Sequence, residues 1–284
     1  MTLHQAQQQL SITLSALYDN REAASMADWV MEKLTGLRKI DRIVRKQEPL
    51  SAAQKTQLET WTAQLLQHRP IQYVLNEAWF DGLALYVDET VLIPRPETEE
   101  LVHWIVEDFG QPAGSPTIMD IGTGSGCIPI ALKKRLPAAT LLGIDISVGA
   151  LATAARNASG QELAIDFHQL DVLDQAEWYR LPAIDILVSN PPYIPQSDQA
   201  GMQPNVLQYE PHTALFVENN DPLLFYRALA ELGQQKLSAG GRLYVEIHED
   251  LGPQTSQLFR DHNFREVELK KDMQGKDRMI RCIL

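Results

Sequence analysis

Apolar residues recur at helical spacing through about the first seventy positions, with few β-branched runs or tight-turn dipeptides between them. That pattern predicts three or four helices. Ser51-Ala52-Ala53-Gln54 has the form of a capping box, Leu58, Trp61 and Leu65 follow along one helical face, and Pro70 ends the pattern. Between residues 78 and 93 the pattern changes to aromatic and β-branched residues around Asp81-Gly82, the signature of a hairpin, with Ala84-Leu85-Tyr86-Val87 as its strand-like far side. Pro94-Arg95-Pro96-Glu97-Thr98-Glu99-Glu100 then leads into Leu101, Val102, Ile105 and Val106, where a helix is expected.

After Pro116 strand and helix patterns alternate. Strands are predicted at residues 117–121, 140–144, 164–169, 184–189 and 242–248, with helices after Gly126, after Ser147 and over residues 222–238. Such alternation predicts an α/β fold with a mostly parallel, doubly wound, Rossmann-like sheet. Asp221-Pro222 supplies a helix start and Gly240-Gly241 its stop. The expected organisation is a helical domain over residues 1–75, a hairpin connector over 76–94 and an α/β domain over 95–284.

Length and composition fit this picture. At 284 residues and 44% hydrophobic content the chain carries one sizeable α/β core and a smaller appendage. Cys127 and Cys282 match no metal-ligand spacing and form no disulfide framework, which suits a reducing compartment. The start of the chain lacks a secretory signal and no run approaches the roughly 20 apolar residues of a membrane span, so a cytoplasmic protein is expected. A net charge of -12 disfavours non-specific binding to nucleic acid. Arg38, Lys39, Arg42, Arg45 and Lys46 concentrate positive charge locally, and a solvated helix face is favoured over a partner-binding one.

Asp120-Ile121-Gly122-Thr123-Gly124-Ser125-Gly126 follows the first predicted strand of the alternating region and opens a helix, so three glycines sit where the backbone turns and approaches a ligand closely. The spacing differs from the dinucleotide fingerprint, and no lysine follows as in a phosphate-binding P-loop. A purely structural turn stays open for the glycines alone. Asp145 ends the next strand, 19 residues after Gly126, where a carboxylate accepts hydrogen bonds from ribose hydroxyls or caps the following helix. Ile146 is its neighbour. Asp171 follows the third strand, where it is placed to accept from an adenine amino group with Val172 beside the ring.

Asn190-Pro191-Pro192-Tyr193 follows an apolar strand at the same sheet edge and is the most specific signal in the chain. A planar nitrogen is a poor nucleophile because its lone pair is delocalised. A site that methylates it must bind its N–H groups and turn the lone pair toward the electrophile. The Asn190 side-chain carbonyl and the Pro191 main-chain carbonyl supply two acceptors, and the prolines hold them rigid. As the methyl group leaves a sulfonium, positive charge develops on that nitrogen, and these dipoles stabilise it more than they stabilise the neutral substrate. Tyr193 is expected to pack its ring on the substrate group. The motif by itself leaves amide and adenine nitrogens open as substrates.

With these residues the chain resembles the HemK/PrmC family, N5-glutamine methyltransferases of class-I peptide chain release factors. The likeness spans most of the chain, through Arg69-Pro70-Ile71-Gln72-Tyr73, residues 92–100, the glycine loop, Asp145-Ile146-Ser147, residues 188–194 and Glu210-Pro211. Ile93-Pro94-Arg95-Pro96-Glu97-Thr98 is more diagnostic of this family than the glycine loop. The resemblance implies a seven-stranded class I methyltransferase domain and a helical domain that docks the release factor. It implies S-adenosylmethionine as cofactor, S-adenosylhomocysteine as product, no metal, and a glutamine in a Gly-Gly-Gln loop as substrate. It assigns Gly122 to Gly126, Asp145, Ile146, Asp171, Val172 and Asn190 to the cofactor, and Asn190, Pro191, Pro192 and Tyr193 to the glutamine.

Thr98 and Glu97 either close the pocket, Thr98 on the cofactor and Glu97 on the substrate, or serve only as a helix N-terminus. Asn76 stands where the family usually has glycine, and Glu246-Ile247-His248-Glu249 replaces a more usual Glu-Ile-Gly. No third ligand with suitable spacing turns Glu246 and His248 into a metal site. The chain is expected to act as a monomer without binding nucleic acid directly. The competing readings are an adenine-N6 methyltransferase acting on DNA or RNA and a non-catalytic S-adenosylmethionine-binding module.

Overall fold

Ser51 caps its helix as the sequence predicts. In the computed structural model, which describes residues 1–109 and 115–284, the Gln54 N–H donates to Ser51 Oγ at 3.2 Å and the Ser51 N–H to Gln54 Oε1 at 3.0 Å. Thr2 and Gln5 form a second capping box. The chain forms two compact units, Met1–Asn76 with Gln203–Tyr209, and Glu77–Met202 with Glu210–Leu284.

The first unit holds α1 (Leu3–Leu14), α2 (Asn20–Thr35), α3 (Lys39–Val44), α4 (Ala52–Leu65) and α5 (Ile71–Leu75), one helix more than the apolar spacing suggests. Leu10, Leu14, Val30, Met31, Leu58 and Leu65 share its core. The basic cluster is not one solvated face. Arg42 is 3% exposed and pairs with Asp28, while its Nη1 donates to the Leu37 carbonyl at 2.5 Å. Asp28 thus compensates a guanidinium turned inward, and Lys39 joins the same carboxylate at 3.6 Å. Asn76 ends α5 at φ 49°, ψ 44°, a left-handed cap that asparagine tolerates, so it does what glycine would do there.

The second unit opens with a hairpin of β1 (Ala78–Phe80) and β2 (Leu83–Leu85). Phe80 pairs with Leu83, leaving Asp81 and Gly82 as a two-residue turn with φ of 50° and 74°, as the Asp-Gly dipeptide predicts. The Asp81 carboxylate also receives Arg135 Nε at 2.6 Å, and that guanidinium holds its pKa below the usual range. Then follow α6 (Pro96–Phe109), β3 (Thr117–Ile121), α7 (Cys127–Arg135), β4 (Thr140–Asp145), α8 (Val148–Gly160), β5 (Asp166–Gln169), β6 (Ile184–Ser189), β7 (Ile194–Pro195) and, after residues of the first unit that include α9 (Pro204–Tyr209), α10 (His212–Leu215), β8 (Phe216–Val217), α11 (Leu224–Lys236), β9 (Leu237–Glu246), α12 (Gly252–Asp261), β10 (Arg265–Lys271) and β11 (Asp277–Ile283).

Seven strands form one sheet in the order β10-β11-β9-β6-β3-β4-β5, with β3, β4, β5, β6 and β9 parallel and the β10–β11–β9 edge antiparallel. Both faces are covered. Ile118, Ile186 and Val188 pack with α6 and α7 residues on one side, whereas Met119, Ile121 and Leu187 pack with Tyr226, Leu229 and Phe259 on the other. Seven strands with helices on both faces are the arrangement that the resemblance implies.

Several boundaries differ from expectation: β5 starts at Asp166 rather than at residue 164, and β9 spans Leu237–Glu246 rather than 242–248. α11 starts at Leu224 rather than at Pro222. Gly240-Gly241 lies inside β9, where a register shift between Ile184 and Ile186 accommodates Gly240 at φ 78°. β10 and β11 complete the sheet although no alternating apolar pattern announces them.

Candidate functional site

The carboxyl ends of β3, β4, β5 and β6 open onto one cavity of about 580 Å³. Its wall includes Gly122, Gly124, Asp145, Asp171, Asn190 and Pro191, so the two strongest sequence signals meet in one place. Ile146, Val172 and Pro192 also line it. Thr123, Ser125, Gly126, Thr98, Glu97 and Tyr193 do not.

Glycine at 122, 124 and 126 has φ of 73°, 52° and 79°, the left-handed region that favours glycine. At Gly126 a side chain would in addition meet Ala154 Cβ at 3.1 Å. The loop's amides are already engaged: Gly122 and Thr123 donate to the Ile144 carbonyl at 2.8 and 2.9 Å, Gly126 to Thr123, and Gly124 to Asp145 Oδ2 at 2.9 Å. With the Gly122, Thr123, Gly124 and Gly126 N–H groups spent internally, the loop is a poor phosphate cradle, which agrees with the missing P-loop lysine. Buried Asn157 on α8 fastens this loop, donating at 2.9 Å to the Ser125 and Tyr86 carbonyls and accepting from the Tyr86 N–H.

Asp145 does not cap α8. Ser147 does, accepting the Ala150 N–H at 3.2 Å, while Asp145 Oδ1 takes the Ser147 N–H at 2.9 Å. The carboxylate therefore bridges the glycine loop and the start of α8, with lone pairs left to face the cavity. Burial raises its pKa, and the Ser147 and Gly124 N–H groups oppose that. Asp171 turns its own backbone, accepting the Leu173 N–H at 2.9 Å. Trp178, 1% exposed, donates from Nε1 to the Val172 carbonyl at 3.0 Å and so fixes this wall.

Asn190 is one end of a hydrogen-bonded chain that joins residues distant in sequence. Its Nδ2 donates to Thr98 Oγ1 at 3.1 Å, Thr98 Oγ1 donates to Glu246 Oε2 at 2.6 Å, and the Tyr193 hydroxyl donates to Glu246 Oε1 at 2.9 Å. Thr98 is thus committed to Asn190 and Glu246, and Glu97 accepts from Gln274 Nε2 at 3.2 Å. Tyr193 stands edge-on to His248, and burial, then the Glu246 charge, raises its pKa well above the ordinary phenol value. Glu246, placed in the sequence beside a histidine as a weak metal candidate, is instead an acceptor of two hydroxyls. Among the described residues no group of three or more His, Cys, Asp or Glu is placed to hold a metal.

Asp120 is another buried acid that no sequence signal singles out. It is fully buried in β3 next to the glycine loop, and desolvation raises its pKa to about 8, far above the usual carboxylate range.

The far wall of the cavity, Pro211, Thr213, Ala214 and Phe216, is pinned at its start. Glu210, 1% exposed at its side chain, receives Arg95 Nη2 at 2.7 and 2.8 Å and the Ile93 N–H at 3.2 Å. Glu210→Ala would leave that N–H and the partly buried guanidinium unpaired. The expected loss is about 2 kcal/mol of stability, read as a lower urea midpoint.

Comparison with known proteins decides between the readings left open. A Methyltransferase small domain model matches residues 101–208, and a PrmC N-terminal domain model matches residues 5–75. A release factor glutamine methyltransferase of Flavobacterium psychrophilum is 44% identical over 270 residues, covering 94% of each chain. The chain belongs to the release factor glutamine methyltransferase family. A Bacteroides thetaiotaomicron member is 39% identical over 268 residues, covering 94% of this chain and 95% of its own. A methyltransferase from Pyrococcus furiosus, 14% identical, superimposes with a TM-score of 0.50 over 79% of this chain and 98% of its own, a likeness of fold alone. The resemblance carried by residues 92–100 and by Asn190 to Tyr193 agrees with this family, and the chain is a methyltransferase.

Proposed function

We propose that this chain transfers the methyl group of S-adenosylmethionine to the side-chain N5 of the glutamine in the Gly-Gly-Gln loop of class-I release factors. The observation that carries the reading is the single cavity that joins the glycine loop and Asp145 to Asn190 and Pro191. Its size suits a nucleoside-sized ligand. Asp145 and Asp171 offer acceptors for ribose and adenine, Ile146 and Val172 offer apolar surface, and a loop whose three glycine N–H groups are occupied suits a ligand end that donates rather than accepts.

When bound, the cofactor supplies an electrophilic methyl carbon on a sulfonium and becomes S-adenosylhomocysteine. The chain's own residues then orient the nitrogen. Asn190 Nδ2 is bound to Thr98, which leaves Oδ1 as the group to accept one substrate N–H, and the Pro191 carbonyl accepts the other. Both dipoles strengthen their hold as the nitrogen gains positive charge. Tyr193 and Pro192 hold this turn in shape. The first unit, residues 1–76 with 203–209, serves as the surface that docks the release factor, and a partner in translation puts the enzyme in the cytoplasm. The same reading has the chain act as a monomer and without a metal.

Incubation with labelled S-adenosylmethionine and, separately, a class-I release factor or nucleic acid tests the reading. Label is expected in the release factor at its glutamine. Label in nucleic acid alone would establish the adenine reading, and label nowhere would leave a binding module.

A further inference from the structure

The Asn190 carboxamide has two nearly isosteric ends of opposite polarity. Shape alone does not choose between them, and hydrogen-bond partners must. With Oδ1 toward the substrate the group accepts the amide N–H; flipped, it presents Nδ2 and repels it. We propose that Glu246, acting through the Thr98 hydroxyl, is a positioning residue that fixes which end of Asn190 faces the substrate nitrogen. This rests on the proposed methyl transfer at Asn190.

Thr98 is 2% exposed and has one hydroxyl proton. Glu246, 1% exposed, takes that proton at 2.6 Å. The Thr98 oxygen has only lone pairs left, so its remaining neighbour at 3.1 Å must be a donor, and that neighbour is Asn190 Nδ2. A flipped Asn190 would set its carbonyl oxygen against a hydroxyl oxygen with no proton between them. The polarity of the transfer site is thus written by a carboxylate 148 residues from Thr98 in the chain. The other Glu246 oxygen takes the Tyr193 hydroxyl at 2.9 Å, so one side chain secures both ends of the Asn-Pro-Pro-Tyr turn. Burial raises the Glu246 pKa, while the Thr98 and Tyr193 donors and the charge of Arg278 favour the ionised form that this direction of donation needs.

Thr98→Val keeps the shape of the side chain and removes the hydroxyl; Thr98→Ser keeps the hydroxyl. The measurements are kcat on the release factor, the Kd of S-adenosylmethionine by calorimetry, and the thermal midpoint. Thr98→Val is expected to lower kcat about 10-fold, a size typical of residues that orient a reacting group. Cofactor Kd stays near wild type, the thermal midpoint falls by a few degrees for the two lost hydrogen bonds, and Thr98→Ser recovers both the midpoint and most of kcat. Glu246→Gln, which offers a donor where two acceptors are needed, is expected to lower kcat as well. The double variant with Thr98→Val should be no slower than the slower single one, because both act through the same contact.

Wild-type kcat in Thr98→Val would overturn the inference. So would a loss of kcat that tracks cofactor affinity or the thermal midpoint and that serine does not restore. A wild-type enzyme that leaves the release factor unlabelled would overturn the underlying reading and this one with it.

Discussion

Asn190→Ala is expected to lower kcat by about 100- to 1,000-fold, the range for removing one preorganised dipole from a transition state. The loss is confined to catalysis because Asn190 is one of many residues in the cavity wall, whereas it carries the side-chain acceptor aimed at the nitrogen. Cofactor Kd, measured by calorimetry, should stay within a few-fold of wild type. The truncation also removes the donor to Thr98 Oγ1, which keeps its bond to Glu246, so the fold should lose only about 1 kcal/mol. Equal losses in kcat and cofactor affinity would move Asn190 from the transfer step to the cofactor wall. Full activity would remove it from the mechanism.

Asp145→Ala should show the opposite split. The carboxylate accepts the Gly124 and Ser147 N–H groups at 2.9 Å each and lines the cavity, so its removal loosens the glycine loop and deletes the acceptor expected to face ribose. Two charge-assisted bonds of about 1.5 kcal/mol each correspond to an affinity loss of about 100-fold, seen as a raised Kd for S-adenosylmethionine. At saturating cofactor most of kcat should return, since Asn190, Thr98 and Glu246 are untouched. A kcat that stays low at saturation would show that the loop, and not only affinity, depends on Asp145.

These expectations follow from how the two halves of the site are built. The cofactor half is local. Each of its groups ends a strand or begins a helix, and the residue types that solve those local problems stand out in a sequence: glycines with positive φ at 122, 124 and 126, and an acid where β4 ends. Even there the structure refines the roles. Asp145 looked like either a ribose acceptor or a helix cap, and Ser147 proves to be the cap. The transfer half is held together at long range. Thr98 had two competing local explanations, pocket closure or helix start, and its partners lie 92 and 148 residues away. Glu246 stands out in the sequence only as part of Glu246-Ile247-His248-Glu249, where a metal is already set aside, and its two hydroxyl donors come from Thr98 and Tyr193, far away in the chain.

The same division runs through the fold. Local sequence by itself determined the βα alternation and the strands at 117–121 and 184–189, through apolar periodicity, and the Asp81-Gly82 turn and the Ser51 capping box, through residue type, because each is settled by steric and hydrogen-bonding preferences within a few residues. Tertiary structure alone decided what those preferences leave free. β10 and β11 carry charged sequences, REVELKK and DRMIRCI; β11 becomes a strand on the edge that β9 offers, and β10 on the edge that β11 then offers. Gly240-Gly241 stops no helix but bends β9, since only the register against β6 shows where the extra residues must go. Arg42 turns inward because Asp28 of another helix is there to pair with it. The facing of Asn190 belongs with these: its identity is in the sequence, but its polarity is set by a proton on Thr98 that only the folded chain brings within reach of Glu246.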